Sequence, residues 1–227
     1  MSYRNISFCG DRTPVINYLK EQKQKGEFKV IDVGASQHPW SIDVIDAIID
    51  FNPPNLNNNI KRYNFDITDY ESWADIEKEV QSNGKYDFSI CSHTLEDIID
   101  PRMVVKKLQK ISKAGFISIP SKYKEFAREV EFFENNSSPY RGYIHHRWIF
   151  TFLEGAFIAF PKINFIEYLT HGDKLVNSNY PDLNFYWENE IELKYINNNY
   201  LGPSISAVKS YYDKLMFDDC DKIIKNL

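Results

Sequence analysis

Three short stretches hold most of the side chains that could do chemistry. "SHTLED" covers Ser92 to Asp97, "HHRW" covers His145 to Trp148, and "KVIDVGASQHPW" covers Lys29 to Trp40. Histidine changes charge near neutral pH, and a carboxylate can share a proton with it. His93, Glu96, His145 and His146 are therefore the candidate proton acceptors. Arg147 could hold an anionic acceptor group through two parallel hydrogen bonds, or pair with a nearby acid. In the third stretch an apolar run ends in Asp32, Gly34, Ala35 and Ser36. Glycine allows a sharp turn there, and the two small residues let a ligand approach the backbone. Asp50 follows Gly34 by sixteen residues, at the end of a second apolar run. That is about where a dinucleotide fold places a carboxylate for ribose hydroxyls. The loop lacks GxGxxG, which argues against pyrophosphate binding in particular. No metal is expected. His38, His93 and His171 are scattered, adjacent His145 and His146 should point apart on most backbones, and no ligand spacing is present.

These residues need a scaffold, and the pattern supplies alternating strands and helices. "TPVINYLKEQKQKG" reads as an amphipathic helix, with Thr13 as cap and Pro14 in the first turn. Strands follow in "FKVIDVG", in "DVIDAIIDF", around Tyr63 to Phe65, in "YDFSICSH" and in "FISIPS". Helices are predicted in "DYESWADIEKEVQSNG", with Asp69 as cap and Gly84 as stop, and from Asp100-Pro101 to Gly115. Such alternation argues for a parallel sheet covered by helices. After Ser121 comes a short helical stretch and then a polar, aromatic loop. "IFTFLEGAFIAFP", "NFIEYLT" and "FYWENEIELKYI" are predicted as late strands of the same sheet, and "SAVKSYYDKLMFDDCDKIIKN" as a C-terminal helix. The expected architecture is one domain over 1–227.

The chain has 227 residues, 43% of them hydrophobic, and a net charge of −5, so it can bury one sizeable core and has no bulk attraction for nucleic acid or an anionic membrane. No stretch approaches the roughly 18 apolar residues of a membrane span, and the start does not read as a signal peptide. Cys9, Cys91 and Cys220 lie far apart, which excludes a disulfide framework. A cytoplasmic setting is expected, and the sequons at Asn135 and Asn136 then carry no meaning.

Taken together, "VIDVGAS", "NFDITD" and "YDFSICSHTLEDIIDPRMVVKKLQKISKAGFISIPS" resemble the successive motifs of class I S-adenosylmethionine-dependent methyltransferases, nearest to the small type 11 kind. The resemblance covers about 28–121, and "HHRWIF" is similar to a downstream segment of some members. It implies a Rossmann-like α/β fold with a central, mostly parallel sheet and an antiparallel last strand. The cofactor-binding half would be about 28–121, with acceptor-side and lid additions over about 122–227. It implies S-adenosylmethionine as cofactor and a small-molecule or sugar acceptor methylated on oxygen or nitrogen. By the same resemblance Asp32, Gly34, Ala35 and Ser36 would form the loop at the methionine part. Asp50 would take the ribose, Asp66 the adenine amino group with Ile67 beside the ring, and Ser92 and His93 would floor the methionine pocket. Two positions depart from the family: Gly-x-Gly becomes "GAS", and "LEH" becomes "LED" at Asp97. These departures favour an alternative, a degenerate fold that binds cofactor or a partner without catalysis. A nicotinamide-dependent enzyme is the other alternative, and the missing GxGxxG argues against it.

Overall fold

Strand residues alternate between two faces of a sheet, and here both faces are buried. Val30, Ile48, Phe88, Ile90 and Phe116 point to one side, where Val15, Leu19, Val44 and Ile45 cover them. Ile31, Val33, Ile49, Cys91, Ile117 and Ile119 point to the other, against Trp73, Ile76, Val104, Val105 and Leu108. Strands buried on both faces read as continuous apolar runs, as "VIDV" and "AIID" do.

The computed structural model describes residues 4–7, 11–55, 59–133, 136–137, 139–153, 156–168, 175–176, 180–196 and 204–216. The elements in chain order are β1 (Arg4–Ser7), α1 (Thr13–Lys25), β2 (Val30–Val33), β3 (Ala47–Asp50), β4 (Lys61–Asn64), α2 (Ala74–Asn83), β5 (Tyr86–Ser92), α3 (Pro101–Ile111) and β6 (Ser112–Pro120). There follow α4 (Lys122–Phe126), β7 (Phe132–Phe133), β8 (Asn136–Ser137), β9 (Trp148–Leu153), β10 (Ala156–Pro161), β11 (Asp182–Glu188), β12 (Leu193–Tyr195) and α5 (Ile205–Met216). The central sheet has seven strands in the order β1-β11-β6-β5-β2-β3-β4. The run from β6 to β4 is parallel throughout. β11 is antiparallel to β6, and β1 is antiparallel to β11. This is the expected Rossmann-like α/β architecture with an antiparallel late strand. Among the described residues no helix is long and apolar enough to cross a membrane. Cys9, Cys220, His171 and Asn135 lie outside the described residues, as does the end of the predicted C-terminal helix from 217 onward.

Several expectations are corrected. Thr13 is inside α1 rather than capping it; its amide donates to Asp11 Oδ1 at 2.8 Å. The helix predicted to reach Gly115 stops at Ile111, because Ser112 already pairs with Tyr86 in the β5–β6 ladder. The Ser112 hydroxyl closes that helix end by donating to the Leu108 carbonyl at 2.8 Å. "IFTFLEGAFIAFP" is strand as expected, but β9 and β10 pair as an antiparallel hairpin outside the central sheet. They build a separate three-stranded sheet with β12, since β11 already occupies the edge of β6. Phe185 of β11 joins the two sheets, meeting Phe157 at 4.7 Å and Phe152 at 5.1 Å between ring centroids. "FYWENEIELKYI" therefore contributes to two strands, broken at Asn189, whose φ of 64° suits asparagine. "NFIEYLT" is a 3-10 turn over Asn164–Tyr168 and not a strand, and Leu169 and Thr170 lie outside the described residues. The turn buries Ile166 beside Phe160, Val208 and Tyr212.

Gly115 is the tightest point of the sheet. A Cβ there would stand 2.5 Å from Trp187 Nε1 and 2.6 Å from the Ser89 carbonyl oxygen. Gly115→Ala should destabilise the fold by roughly 1–3 kcal/mol, the usual cost of overpacking a rigid core. At about 2–4 °C per kcal/mol for a chain of this size, thermal unfolding will resolve it. An unchanged melting temperature would mean that β6 and β11 are not packed as described.

Candidate functional site

The chain winds from β2 through β3 to β4 toward one edge of the sheet, and from β5 through β6 toward the other. Such a reversal opens a crevice at the carboxyl ends of the two strands beside it, here β2 and β5. Gly34 leaves β2 with φ +76°, and Thr94 follows β5 directly above it. The Thr94 hydroxyl donates to the Gly34 carbonyl at 3.1 Å, and the Gly34 amide donates to the Ile49 carbonyl at 2.8 Å. A Cβ on Gly34 would lie 2.5 Å from both Thr94 Cγ2 and Oγ1, so no other residue fits without displacing Thr94. Ser36, also at positive φ (59°), turns its amide onto Asp50 Oδ2 at 3.1 Å. The Asn52 amide donates to Asp50 Oδ1 at 2.9 Å. A carboxylate has about four lone-pair sites, so Asp50 keeps two for a ligand's hydroxyls. Turns, not a helix, carry the chain across 34–46 into β3.

Beneath this loop Asp32 is 2% exposed. The Ser41 hydroxyl donates to Asp32 Oδ2, while Oδ1 is buried with no partner. Burial pushes the carboxyl up to about 7, although Ser41, the Val33 amide and the Arg12 charge pull the other way. Ser92 Oγ, across the crevice, is likewise buried without a partner. Ala35 is partly buried against the α1 side of the sheet. Asp66 is exposed just past β4, where Oδ1 accepts from the Thr68 amide and hydroxyl at 2.8 and 2.7 Å. Ile67 beside it is buried, and its carbonyl accepts from Trp73 Nε1 at 3.0 Å.

His93 sits between two acids. Nε2 is 3.1 Å from Asp182 Oδ2, and Nδ1 is 3.3 Å from Glu96 Oε1. Lys124 holds the other oxygen of Asp182 at 2.6 Å. Burial alone would lower the His93 pKa, but hydrogen bonding and charge from Asp182 and Glu96 outweigh it and raise the ring to about 9. At neutral pH His93 is thus an imidazolium, a donor and not a proton acceptor. Glu96 is fully enclosed, and burial raises its pKa against the pull of His93 and His146.

His145 and His146 do not point apart. A turn closed by the His146 amide on the Tyr143 carbonyl, 3.2 Å, sets their rings 4.5 Å apart. Both Nε2 atoms face Asp97 Oδ1, each at 3.6 Å. Glu125 Oε1 contacts His146 Nδ1 at 2.6 Å, and Lys162 binds the other Glu125 oxygen at 2.5 Å. Lys162 and His146 hold Glu125 ionised although it is buried. The Arg147 amide donates to the Glu96 carbonyl at 2.7 Å, tying this loop to the end of β5. Arg147 itself is exposed. Trp148 packs elsewhere, stacked on Tyr195 at 4.7 Å.

The fold therefore gathers two groups. Asp32, Gly34, Ala35, Ser36, Asp50, Ser92 and His93 lie at or just past the carboxyl ends of β2, β3 and β5, with Asp66 and Ile67 past the end of β4. Glu96, His145 and His146 stand at the far side of the crevice. Asp182, Lys124, Ser41, Thr94, Glu125 and the pairing role of Asp97 were not predicted. Asp182 carried one usable signal, an acid at the first position of a strand whose middle is aromatic. The others are set by long-range packing and leave none.

No protein-family model and no curated protein matches the chain. Solved structures do. One is WbdD, titled a bifunctional kinase-methyltransferase, at 12% identity and TM-score 0.41, covering 79% of this chain and 40% of WbdD. The N-terminal domain of EvdMO1 with SAH bound matches at 11% and 0.35, covering 77% and 66%. Magnesium protoporphyrin IX methyltransferase (ChlM) from Synechocystis PCC 6803 with bound SAM matches at 10% and 0.34, covering 78% and 77%. The chain thus spans less than two thirds of the first two.

The His93 arrangement has a definite pH signature. A raised imidazole pKa stabilises the fold fully below the unfolded value near 6.5, and the contribution is lost as pH rises through about 9. Titration of the histidine ring signals by NMR should show one midpoint near pH 9. Asp182→Asn should move that midpoint down by a unit or more. A midpoint unchanged in the variant would remove Asp182 from the account.

Proposed function

We propose that the chain binds S-adenosylmethionine in the crevice between β2 and β5 and transfers its methyl group to an oxygen or nitrogen of a small molecule or sugar. The observation that carries this reading is the Gly34–Thr94 contact, which locks the carboxyl ends of β2 and β5 together at the switch point of the sheet, where such folds bind their ligands. The chain's own groups fit the cofactor. Asp32 Oδ1 and Ser92 Oγ are buried polar atoms lacking partners at its methionine side. Asp50 retains lone pairs for ribose hydroxyls, and Asp66 and Ile67 lie where adenine would. The cofactor, when bound, supplies the reactive methyl group. The protein aligns the acceptor for direct displacement and removes a proton when the acceptor is a hydroxyl. Protonated His93 suits binding and charge stabilisation. Activation of a hydroxyl acceptor falls to the group formed by Asp97, His145 and His146, in which both histidine Nε2 atoms face Asp97 Oδ1.

We also assign 1–227 to one domain, with the cofactor half over about 28–121 and the acceptor side over about 122–227. Aromatic side chains shared between the two sheets support it. The nicotinamide reading is disfavoured, because no helix N-terminus follows β2 to receive a pyrophosphate.

Calorimetric titration with S-adenosylmethionine, S-adenosylhomocysteine and NAD tests the proposal. Micromolar binding of the first two is expected, with none for NAD. Asp50→Ala should weaken binding roughly 5- to 150-fold, since a bidentate carboxylate contact to hydroxyls is worth about 1–3 kcal/mol, and Gly34→Ala should weaken it by displacing Thr94. Absence of binding would overturn the cofactor reading. Binding with no methyl transfer to any of a panel of hydroxyl and amine acceptors would instead favour the non-catalytic alternative.

A further inference from the structure

We propose that Asp97, His145 and His146 form a binding site for one divalent transition-metal ion, of the class that imidazole and carboxylate ligands hold together, such as zinc or iron(II). The three donor atoms lie within 4.8 Å of one another. Each histidine Nε2 is 3.6 Å from Asp97 Oδ1. Ligands about 2.0–2.2 Å from a tetrahedral zinc stand roughly 3.4 Å apart, so two of the three separations need almost no adjustment.

The surrounding groups are those a metal site requires. A ligating histidine usually gives its other ring N–H to a carboxylate, which fixes the tautomer and turns the free lone pair to the ion. His146 has such a partner hydrogen-bonded to Nδ1, and His145 has a carboxylate near its own Nδ1. Glu125 stands 2.6 Å from His146 Nδ1, and Glu131 stands 3.5 Å from His145 Nδ1. Glu125 is anchored by Lys162, and Glu131 by the Ile144 amide at 3.2 Å. Both Nε2 atoms are thereby presented toward Asp97.

The charge balance points the same way. Lys124 and His93 face Asp182, Lys162 faces Glu125 and His93 faces Glu96, while Asp97 is met by His145 and His146 and Glu131 by His145. Glu96 is 1% exposed, and neither of its carboxylate oxygens has a well-formed hydrogen bond. A divalent ion would offset the excess negative charge. Asp97 and His145 are about half exposed while His146 is enclosed, so the ion would be open to a ligand from one side.

Three protein ligands leave at least one position for an oxygen of a small molecule or water. Given the methyl-transfer reading, on which this role rests, that oxygen would belong to the acceptor hydroxyl. The ion would lower the hydroxyl's pKa and hold it at the cofactor crevice. Metal binding itself does not depend on that reading.

The test uses the full chain, freed of metal by a chelator and titrated with zinc chloride by calorimetry, with S-adenosylhomocysteine binding measured on the same samples. One zinc per chain at micromolar affinity or tighter is expected. Asp97→Asn and His145→Ala, both exposed positions, should each weaken it at least tenfold, as should His146→Gln. His38→Ala should leave it unchanged. The far-ultraviolet circular dichroism and melting temperature of metal-free Asp97→Asn and His145→Ala should match those of the metal-free parent chain, which shows that those variants remain folded. No zinc binding, or zinc binding that these substitutions do not alter, would overturn the site. Zinc binding without S-adenosylhomocysteine binding would sustain the site and overturn the cofactor proposal alone.

Discussion

The close approach of Gly34 to Thr94 is the contact on which the rest of the crevice depends. It joins the carboxyl ends of the two strands where the winding of the sheet reverses. The Thr94 side chain fills the space a Cβ would need, and its hydroxyl holds the Gly34 carbonyl. Once that turn is set, the chain must pass beneath Asp50, and the Ser36 amide closes onto the carboxylate. The same Thr94 accepts the Asp97 amide on its carbonyl at 3.3 Å, which starts the turn carrying Glu96 and Asp97 to the other side of the site. One small residue and one hydroxyl thus fix the positions of acids that lie far apart in sequence.

Charge is the second constraint. Burying a carboxylate is costly unless it is paired. The fold pairs Asp182 with Lys124 and His93, and Glu125 with Lys162 and His146. Asp32 and Glu96 are treated differently: their oxygens are enclosed and incompletely satisfied. Unsatisfied groups of this kind are uncommon in folded proteins, and they concentrate where a ligand completes the bonding. Asp32 lies on β2 and Glu96 in the turn that follows β5.

The second sheet accounts for the aromatic residues that follow β6. β11 takes the edge of β6, so β9 and β10 cannot extend the central sheet and must bury their apolar face on it instead. Phe150, Phe152 and Phe157 fill that layer, and Trp148 at the start of β9 stacks on Tyr195. This packing carries the His145–His146 turn to the end of β5, where the Arg147 amide anchors it.

Much of the central sheet was legible in the sequence, because strands buried on both faces are rich in apolar residues at successive positions, as "VIDV", "AIID" and "YDFSICS" are despite their few polar residues. The glycine at 34 and the acid at 50 were legible for the same local reason: each sits at the end of one of these runs. Helix and strand boundaries were less so. Ser112 to Gly115 looked helical by composition, but pairing with β5 outweighed local preference. The partners of the chemistry were not legible at all. Asp182 reaches His93 across 89 residues, and Asp97 meets His145 and His146 across nearly 50. Spacing along a chain encodes only what one helix or strand can align. Sheet order and the turn at Tyr143 decided which acids face which histidines, and those depend on packing between segments that no local pattern connects.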